Sequence, residues 1–160
     1  MIDLHGFISE YGADWIKVFH PPVTSCDEFN NLFPELPGSR AKNLFLCDRK
    51  ARQFYLLVME DHKYLDWKHI SKLAGRRLQM ASADNLKEQL NLDRGALSIF
   101  ALVNDPERKV KLMMDKDVWT ADSIQCHPCN NRTTIIAPME TIRYFLSLTG
   151  HEPTIVTVSA

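Results

Sequence analysis

The sequence lacks long hydrophobic runs, has few cysteines and carries almost no net charge, and each shortage removes a class of protein. No apolar stretch approaches the ~20 residues of a membrane span, so no membrane-embedded segment is expected. Four cysteines in 160 residues do not make a disulfide scaffold, which fits a reducing compartment. The opening residues MIDLHGFISEYG contain acidic side chains and no basic segment, unlike a signal peptide. The cytoplasm is therefore the expected location. A net charge of −1 argues against a protein that coats nucleic acid non-specifically, while leaving room for local RNA contact. Absent too are the GxSxG elbow, the P-loop and HExxH, the signatures of common hydrolase and nucleotide-binding sites. With no internal repeat, low-complexity tract or long linker, one domain over residues 1–160 is expected. It is long enough to bury a core unaided.

The stretch AKNLFLCD, residues 41–48, reads as a buried strand. The turn Asp48-Arg49-Lys50-Ala51 and a second apolar run, Phe54 to Met59, make it half of a β-hairpin. Lys42 does not fit a buried strand: it must either reach water or face a polar cleft with a partner for its ammonium. Arg40, Lys42, Arg49, Lys50 and Arg52 form the densest basic cluster. Such a cluster is either a solvated edge that discourages strand aggregation or a rim that meets phosphates.

Elsewhere, Leu4, Phe7, Ile8 and Tyr11 recur at helical spacing before Gly12. Trp15–Phe19 reads as a strand ended by His20-Pro21-Pro22. Ser25 with Glu28 forms a capping-box pattern ahead of Phe29, Leu32 and Phe33. Asp66 caps a predicted helix through Ile70 and Leu73 that Gly75 closes, and Ser82 caps another through Leu86 and Leu90. Leu78–Ala81 between them is a short strand. Phe100–Val103 and Val110–Met114 are predicted strands joined across Asn104-Asp105-Pro106-Glu107. Ile124–Cys126 and Thr133–Ile136 are predicted strands flanking a polar loop. Pro138 suits the first position of a helix through Met139, Ile142, Phe145 and Leu146 that ends at Gly150, and Thr154–Val158 is a last strand. Strands outnumber helices and no βαβ rhythm is sustained. The expected class is α+β, a mixed, largely antiparallel sheet with helices around it.

Cys126 and Cys129 form a C-x-x-C around His127. Structural zinc wants four ligands, and no second pair stands at matching spacing. Thioredoxin-type motifs open a helix, whereas this one opens a polar loop. No metal site is predicted.

The run KNLFLCD at 42–48 with YLLVM at 55–59, His20-Pro21-Pro22 before a short helix, and His127-Pro128-Cys129-Asn130-Asn131 followed by threonine resemble the free-standing prolyl-tRNA editing proteins. These are the alanyl-tRNA(Pro) deacylases of the YbaK/ProX (PrdX) superfamily. The order after the hairpin, Asp66-x-Lys68, a helix ending in glycine, then RLQMAS and a helix ending in leucine, follows the same pattern. The resemblance departs from the family at a glycine-rich loop of the form GxxPG. Here Gly95 matches, but Asn91 and Arg94 stand for the first glycine and the proline, and Ile99 and Ala101 for a downstream proline and glycine.

What the resemblance implies is hydrolysis of the ester between a mischarged small amino acid and the terminal adenosine of proline tRNA, with no metal or cofactor. Lys42 would hold a phosphate or carbonyl oxygen of that end, and Asn43 would orient its polar groups. The Gly95 amide would face the ester carbonyl, and His127 would bond the adenosine or the attacking water. Asn131 and a wall near His20 to Thr24, in the region of the HPP element and short helix, would complete the substrate pocket. Partners would be the acceptor end of tRNA(Pro) and, as an open alternative, a transient encounter with prolyl-tRNA synthetase; a monomer is the default. Two other readings stay open: a deacylase for another residue such as cysteine on the same tRNA, and a non-catalytic tRNA- or synthetase-binding module.

Overall fold

A computed structural model describes residues 2–23 and 25–159. It is an α+β fold in which eight strands form one mixed sheet. The first helix, α1 (Leu4–Tyr11), ends at Gly12, and β1 (Ile16–Phe19) ends ahead of the two prolines. Helix α2 (Cys26–Leu32) starts at Ser25, whose hydroxyl accepts from the Glu28 N–H at 3.1 Å. The hairpin is β2 (Ser39–Asp48) and β3 (Phe54–Glu60), antiparallel from Ala41 opposite Glu60 to Cys47 opposite Phe54. Its turn is built by the Asp48 carboxylate, which accepts from the N–H groups of Arg52 at 2.7 Å and Gln53 at 3.2 Å. Those bonds hold the Asp48 carboxyl below the usual range.

Helix α3 (Trp67–Ala74) is capped by Asp66 and closed by Gly75 at φ 72, β4 (Leu78–Met80) follows, and α4 (Ala83–Leu90) is capped by Ser82. Next come β5 (Val110–Asp115) and a short α5 (Lys116–Trp119), for which the sequence pattern gave no expectation. The chain ends through β6 (Ser123–Cys126), β7 (Thr133–Pro138), α6 (Met139–Thr149) and β8 (Thr154–Val156). Pro138 closes β7 and caps α6, one residue before the helical position expected for it.

The segment expected as a strand at Phe100–Val103 is instead a 3₁₀ helix, Ile99–Asn104. The Ser98 hydroxyl accepts from the Phe100 N–H at 3.1 Å and its carbonyl from the Ala101 N–H at 3.0 Å. The backbone is thus satisfied locally, and the short apolar run buries itself without joining the sheet. Periodicity alone does not separate a buried helical turn from a buried strand.

Strands run in the order β1-β7-β6-β2-β3-β5-β8, with β4 also on β2. Among the described residues four pairings are antiparallel, and β2–β6, β3–β5 and β5–β8 are parallel. One face of the sheet packs Phe45, Leu56 and Leu112 with Phe100, Ile142 and Phe145. The other face packs Leu46, Leu57 and Met113 with Ile70 of α3.

The decisive detail is the outer edge of β2. Its first residues, Ser39 and Arg40, pair with β6, and its last, Leu46 to Asp48, pair with β4. Between them the edge parts, and Ala41–Leu44 are half-buried while Phe45–Cys47 are fully covered. Gly38, at φ +98, delivers the chain into this strand where a Cβ would crowd Ile136, Ser123 and Gln125 at 3.2–3.4 Å. Both its conformation and its tight surroundings call for glycine.

Phe100 lies edge-on to Phe145 at 5.0 Å and is fully buried. Phe100→Ala should lower unfolding free energy by about 3–5 kcal/mol, read from urea denaturation. A value below 1 kcal/mol would show that the 3₁₀ segment is not part of the cooperative core.

Candidate active site

The parting of the β2 edge opens a cleft of about 180 Å³. Lys42 and Asn43 enter it from β2, His127 and Asn131 from the loop between β6 and β7, and Gly95 from the 3₁₀ turn Arg94–Ala96. Five predicted site residues separated by up to 89 positions in sequence therefore share one cavity. His20 does not line it. Thr24 lies outside the described residues. Among the described residues of the wall expected near His20 to Thr24, Val23 lines the cleft, followed by Ser25, Cys26 and Phe29.

His20 stands behind that wall. Its Nδ1–H donates to the Pro21 carbonyl at 2.8 Å, which leaves Nε2 to accept from the Thr134 hydroxyl at 3.0 Å. Thr134 lines the cleft and lies 3.4 Å from His127 Nδ1, whose N–H donates to the Thr133 carbonyl at 3.0 Å. Burial, with some help from the facing His20, pushes the His127 pKa down, against the pull of the Thr133 carbonyl. The imidazole is consequently neutral at pH 7, with the proton on Nδ1 and a lone pair on Nε2. Among the described residues nothing bonds that Nε2.

Lys42 donates one N–H to the Lys63 carbonyl at 2.9 Å. An ammonium has three donors, so two stay available to a ligand. The Lys63 backbone is itself anchored, because its ammonium meets Asp115 at 2.9 Å and Asp117 at 2.6 Å. Asp115 is buried and also accepts from the N–H groups of Glu60 and Asp117. Desolvation works against the charge on Lys63, but the bonds to Asp117 and Asp115 outweigh it and raise its pKa.

Arg40 turns away from the surface. Its guanidinium donates to Asn30 and to the carbonyls of Phe33, Pro34 and Leu36, while Asn30 donates to Asp61 at 2.7 Å. Gln125 adds bonds to the Leu36 and Pro37 carbonyls. These donors fasten the loop after α2, and with it the cleft wall that α2 carries. Of the basic cluster, Arg40 is thus a structural clamp, whereas Arg49, Lys50 and Arg52 are exposed.

None of the nearby thiols is a ready nucleophile. Burial pushes Cys26 and Cys126 up, and Cys129 up to about 11. Cys126 donates to the Ile135 carbonyl at 3.8 Å. No group of metal-binding side chains occurs among the described residues.

Sequence reasoning missed Gln125, Thr134, Asn30 and Asp61. A signal existed for the first two: each is a polar side chain next to apolar residues in a short strand, and both are buried. The α2 wall was expected from the resemblance of the HPP element and short helix, though not its individual residues Cys26 and Phe29.

Residues 20–145 match the family model of the aminoacyl-tRNA editing domain. A protein called prolyl-tRNA editing protein ProX, from Acetoanaerobium sticklandii, is 30% identical over 145 residues, spanning 90% of this chain and 88% of its own. The prolyl-tRNA synthetase associated domain-containing protein 1 of Danio rerio is 31% identical over 157 residues, covering 96% and 85%. Among solved structures, one described as a candidate trans-editing enzyme for prolyl-tRNA synthetase superposes with a TM-score of 0.68 at 18% identity, over 98% of this chain and 94% of that one.

Arg40→Met keeps the stem and removes the clamp. It should cost about 1–3 kcal/mol of stability and speed amide exchange in residues 33–38, measured by hydrogen exchange. Unchanged exchange there would mean that Gln125 alone holds the loop.

Proposed function

The chain belongs to the aminoacyl-tRNA editing domain family, and from that membership and the cleft we propose that it deacylates mischarged proline tRNA, with alanyl-tRNA(Pro) its principal substrate. The deacylase activity and the prolyl-tRNA editing role follow from the family. The choice of alanine and the mechanism are our own reading. One observation carries it: Lys42, Asn43, Gly95, His127 and Asn131 line one small cavity.

Such an activity is needed because a synthetase pocket shaped for proline rejects a smaller residue only weakly. A missing methylene is worth about 1–3 kcal/mol, so a second site has to remove what passes. A cleft of about 180 Å³ with the apolar wall of Val23 and Phe29 selects for small side chains by exclusion.

An aminoacyl ester is already activated, and a placed water with donors at the developing oxyanion suffices. The neutral His127 offers Nε2 as acceptor for that water or for the ribose hydroxyl beside the ester, and its Nδ1–H stays with the Thr133 carbonyl. Lys42 supplies a point charge to a phosphate or carbonyl oxygen. Asn43 and Asn131 bond the amino-acid and ribose polar groups. The backbone around Gly95 approaches the ester carbonyl; a Cβ there would reach within 3.6 Å of the Asn131 Nδ2. The protonated thiols leave water as the nucleophile.

Alanyl-tRNA(Pro) should be hydrolysed and prolyl-tRNA(Pro) spared. Lys42→Ala should lower the rate on the former by roughly 10²–10³-fold. Equal cleavage of both esters would refute selection by exclusion, and cleavage of cysteinyl-tRNA(Pro) alone would move the assignment to that residue.

The pH dependence tests His127. Its folded pKa lies below the ordinary 6.5, and the active form is the unprotonated one. After subtraction of spontaneous hydrolysis, kcat should fall on the acid side with its midpoint below pH 6.5. A midpoint above pH 7 would refute the assignment of that acid limb to the buried His127.

Gly95 has no positive φ and its Cβ position meets only Asn131, at ordinary contact distance. Gly95→Ala should therefore unfold at the wild-type temperature while KM for the tRNA ester rises. A lowered Tm with unchanged KM would mark the glycine as structural.

A further inference from the structure

A second concavity of about 720 Å³ lies beyond β4, between that strand and α3. Arg49, Lys68 and Arg77 line it over a floor that includes Trp67, Leu78 and Met80, and no carboxylate does. In a chain with 19 basic and 20 acidic residues, three cations with no acid among eight lining residues is a local excess of one sign. None of the three makes an ion pair among the described residues. The nearest carboxylate in sequence, Asp48, is taken up by its turn and by Arg76 at 3.1 Å.

The groove is held open by structure. The Leu78 N–H donates to the Ser71 hydroxyl at 2.9 Å, and Gly75 closes α3 in the left-handed conformation, so helix and strand are stapled at a fixed separation. Trp67 and Met80 are 38% and 43% exposed, an apolar floor between the cations. Its place relative to the cleft matters most. β4 pairs with β2 at Leu46–Asp48, on the same edge whose open stretch, Ala41–Leu44, forms the cleft. From Lys42 to Asp48 the strand advances about 20 Å. Arg94 stands near the junction, lining the cleft and donating to the Ala81 carbonyl at 3.0 Å.

We propose that this groove docks the phosphate backbone of the substrate RNA, the stem that leads away from the aminoacylated end in the cleft. The inference rests on the deacylase reading for the identity of the RNA, and on the groove's own charge for the contact. Three cations without an ion-pair partner among the described residues, Lys68 on α3, Arg49 in the hairpin turn and Arg77 just before β4, meet phosphates through contacts that are independent of sequence. RNA duplexes are recognised largely by shape and backbone, the kind of contact that the guanidinium and ammonium groups lining this groove make. The cleft then reads the amino acid while the groove holds the stem.

The test uses the triple variant Arg49→Gln/Lys68→Gln/Arg77→Gln beside wild type. All three side chains are exposed, and thermal unfolding checks that the fold is kept. Binding of uncharged tRNA(Pro) transcript, followed by filter retention from 50 to 200 mM salt, should weaken about 10-fold at the low end. The slope of log K against log salt should drop by about 2–3. In deacylation assays KM for alanyl-tRNA(Pro) should rise with kcat unchanged, and hydrolysis of an alanylated CCA trinucleotide, which has no stem, should match wild type.

An unchanged salt slope and KM in the triple variant would overturn the proposal, as would an equal loss on the trinucleotide. A wild type that binds the transcript through these residues but hydrolyses no aminoacyl ester would uphold the groove and refute the hydrolase reading instead. Wild-type binding of the transcript that matches the triple variant's, with loss only of an acidic protein's binding, would overturn it in favour of a protein partner.

Discussion

The interrupted pairing of β2 is the constraint on which the rest depends. A central strand normally satisfies both edges along its length. Here one edge bonds β3 throughout, while the other bonds β6 at Ser39 and Arg40 and β4 at Leu46 to Asp48. The unpaired stretch would be a liability on a surface. Turned into a cleft under α2 and the Arg94–Ala96 turn, it supplies side chains of both faces, Lys42 from one and Asn43 from the other, to a single cavity. A strand held at both ends and open in the middle is a rigid mount for a site.

Holding that geometry requires much polar bonding that touches no substrate. Pro34 and Pro37 interrupt the loop before β2, and its carbonyls at Phe33, Pro34, Leu36 and Pro37 need donors. Arg40 and Gln125 provide them. On the far side the buried Asp115 fixes Lys63, and the Lys63 carbonyl fixes Lys42. The positive charge at the cleft is thereby placed through a backbone oxygen rather than a carboxylate. A direct carboxylate partner would neutralise the charge that an anionic substrate end is to meet, whereas a carbonyl orients it and leaves it whole.

Much of this was legible in the sequence, for reasons that differ by element. The hairpin, the capped helices α2, α3 and α4, and the closures at Gly12, Gly75 and Gly150 follow from local chemistry, because caps and turns are decided within a few residues. Phe100 was misread because a five-residue apolar run has no period to measure. Within the site, Lys42 stood out because a cation beside a buried strand demands an explanation. His20 belonged to the right region in the wrong role: its bonds to Pro21 and Thr134 are tertiary facts that no spacing encodes. The Val23–Phe29 wall was legible only through the resemblance of the HPP element and short helix, since nothing in the segment's own spacing says which strand it will cover.

The altered glycine loop holds its own backbone with residues that depart from the family pattern. Asn91, in place of the first glycine, ends α4 at φ 56 and ψ 39, and its N–H bonds the Lys87 carbonyl. Asparagine is the residue that tolerates this left-handed conformation best after glycine, so the turn survives the replacement. Arg94, in place of proline, ties the same loop to the Ala81 carbonyl, a side-chain tether where a pyrrolidine ring would have stiffened the chain. Ile99 and Ala101 are buried in the 3₁₀ helix, where a proline and a glycine would leave apolar volume unfilled. The motif's glycine that remains, Gly95, is the one that abuts Asn131 across the cleft. Asn91 adopts the left-handed turn and Arg94 supplies a restraint, while Gly95 stands where a side chain would narrow the cavity.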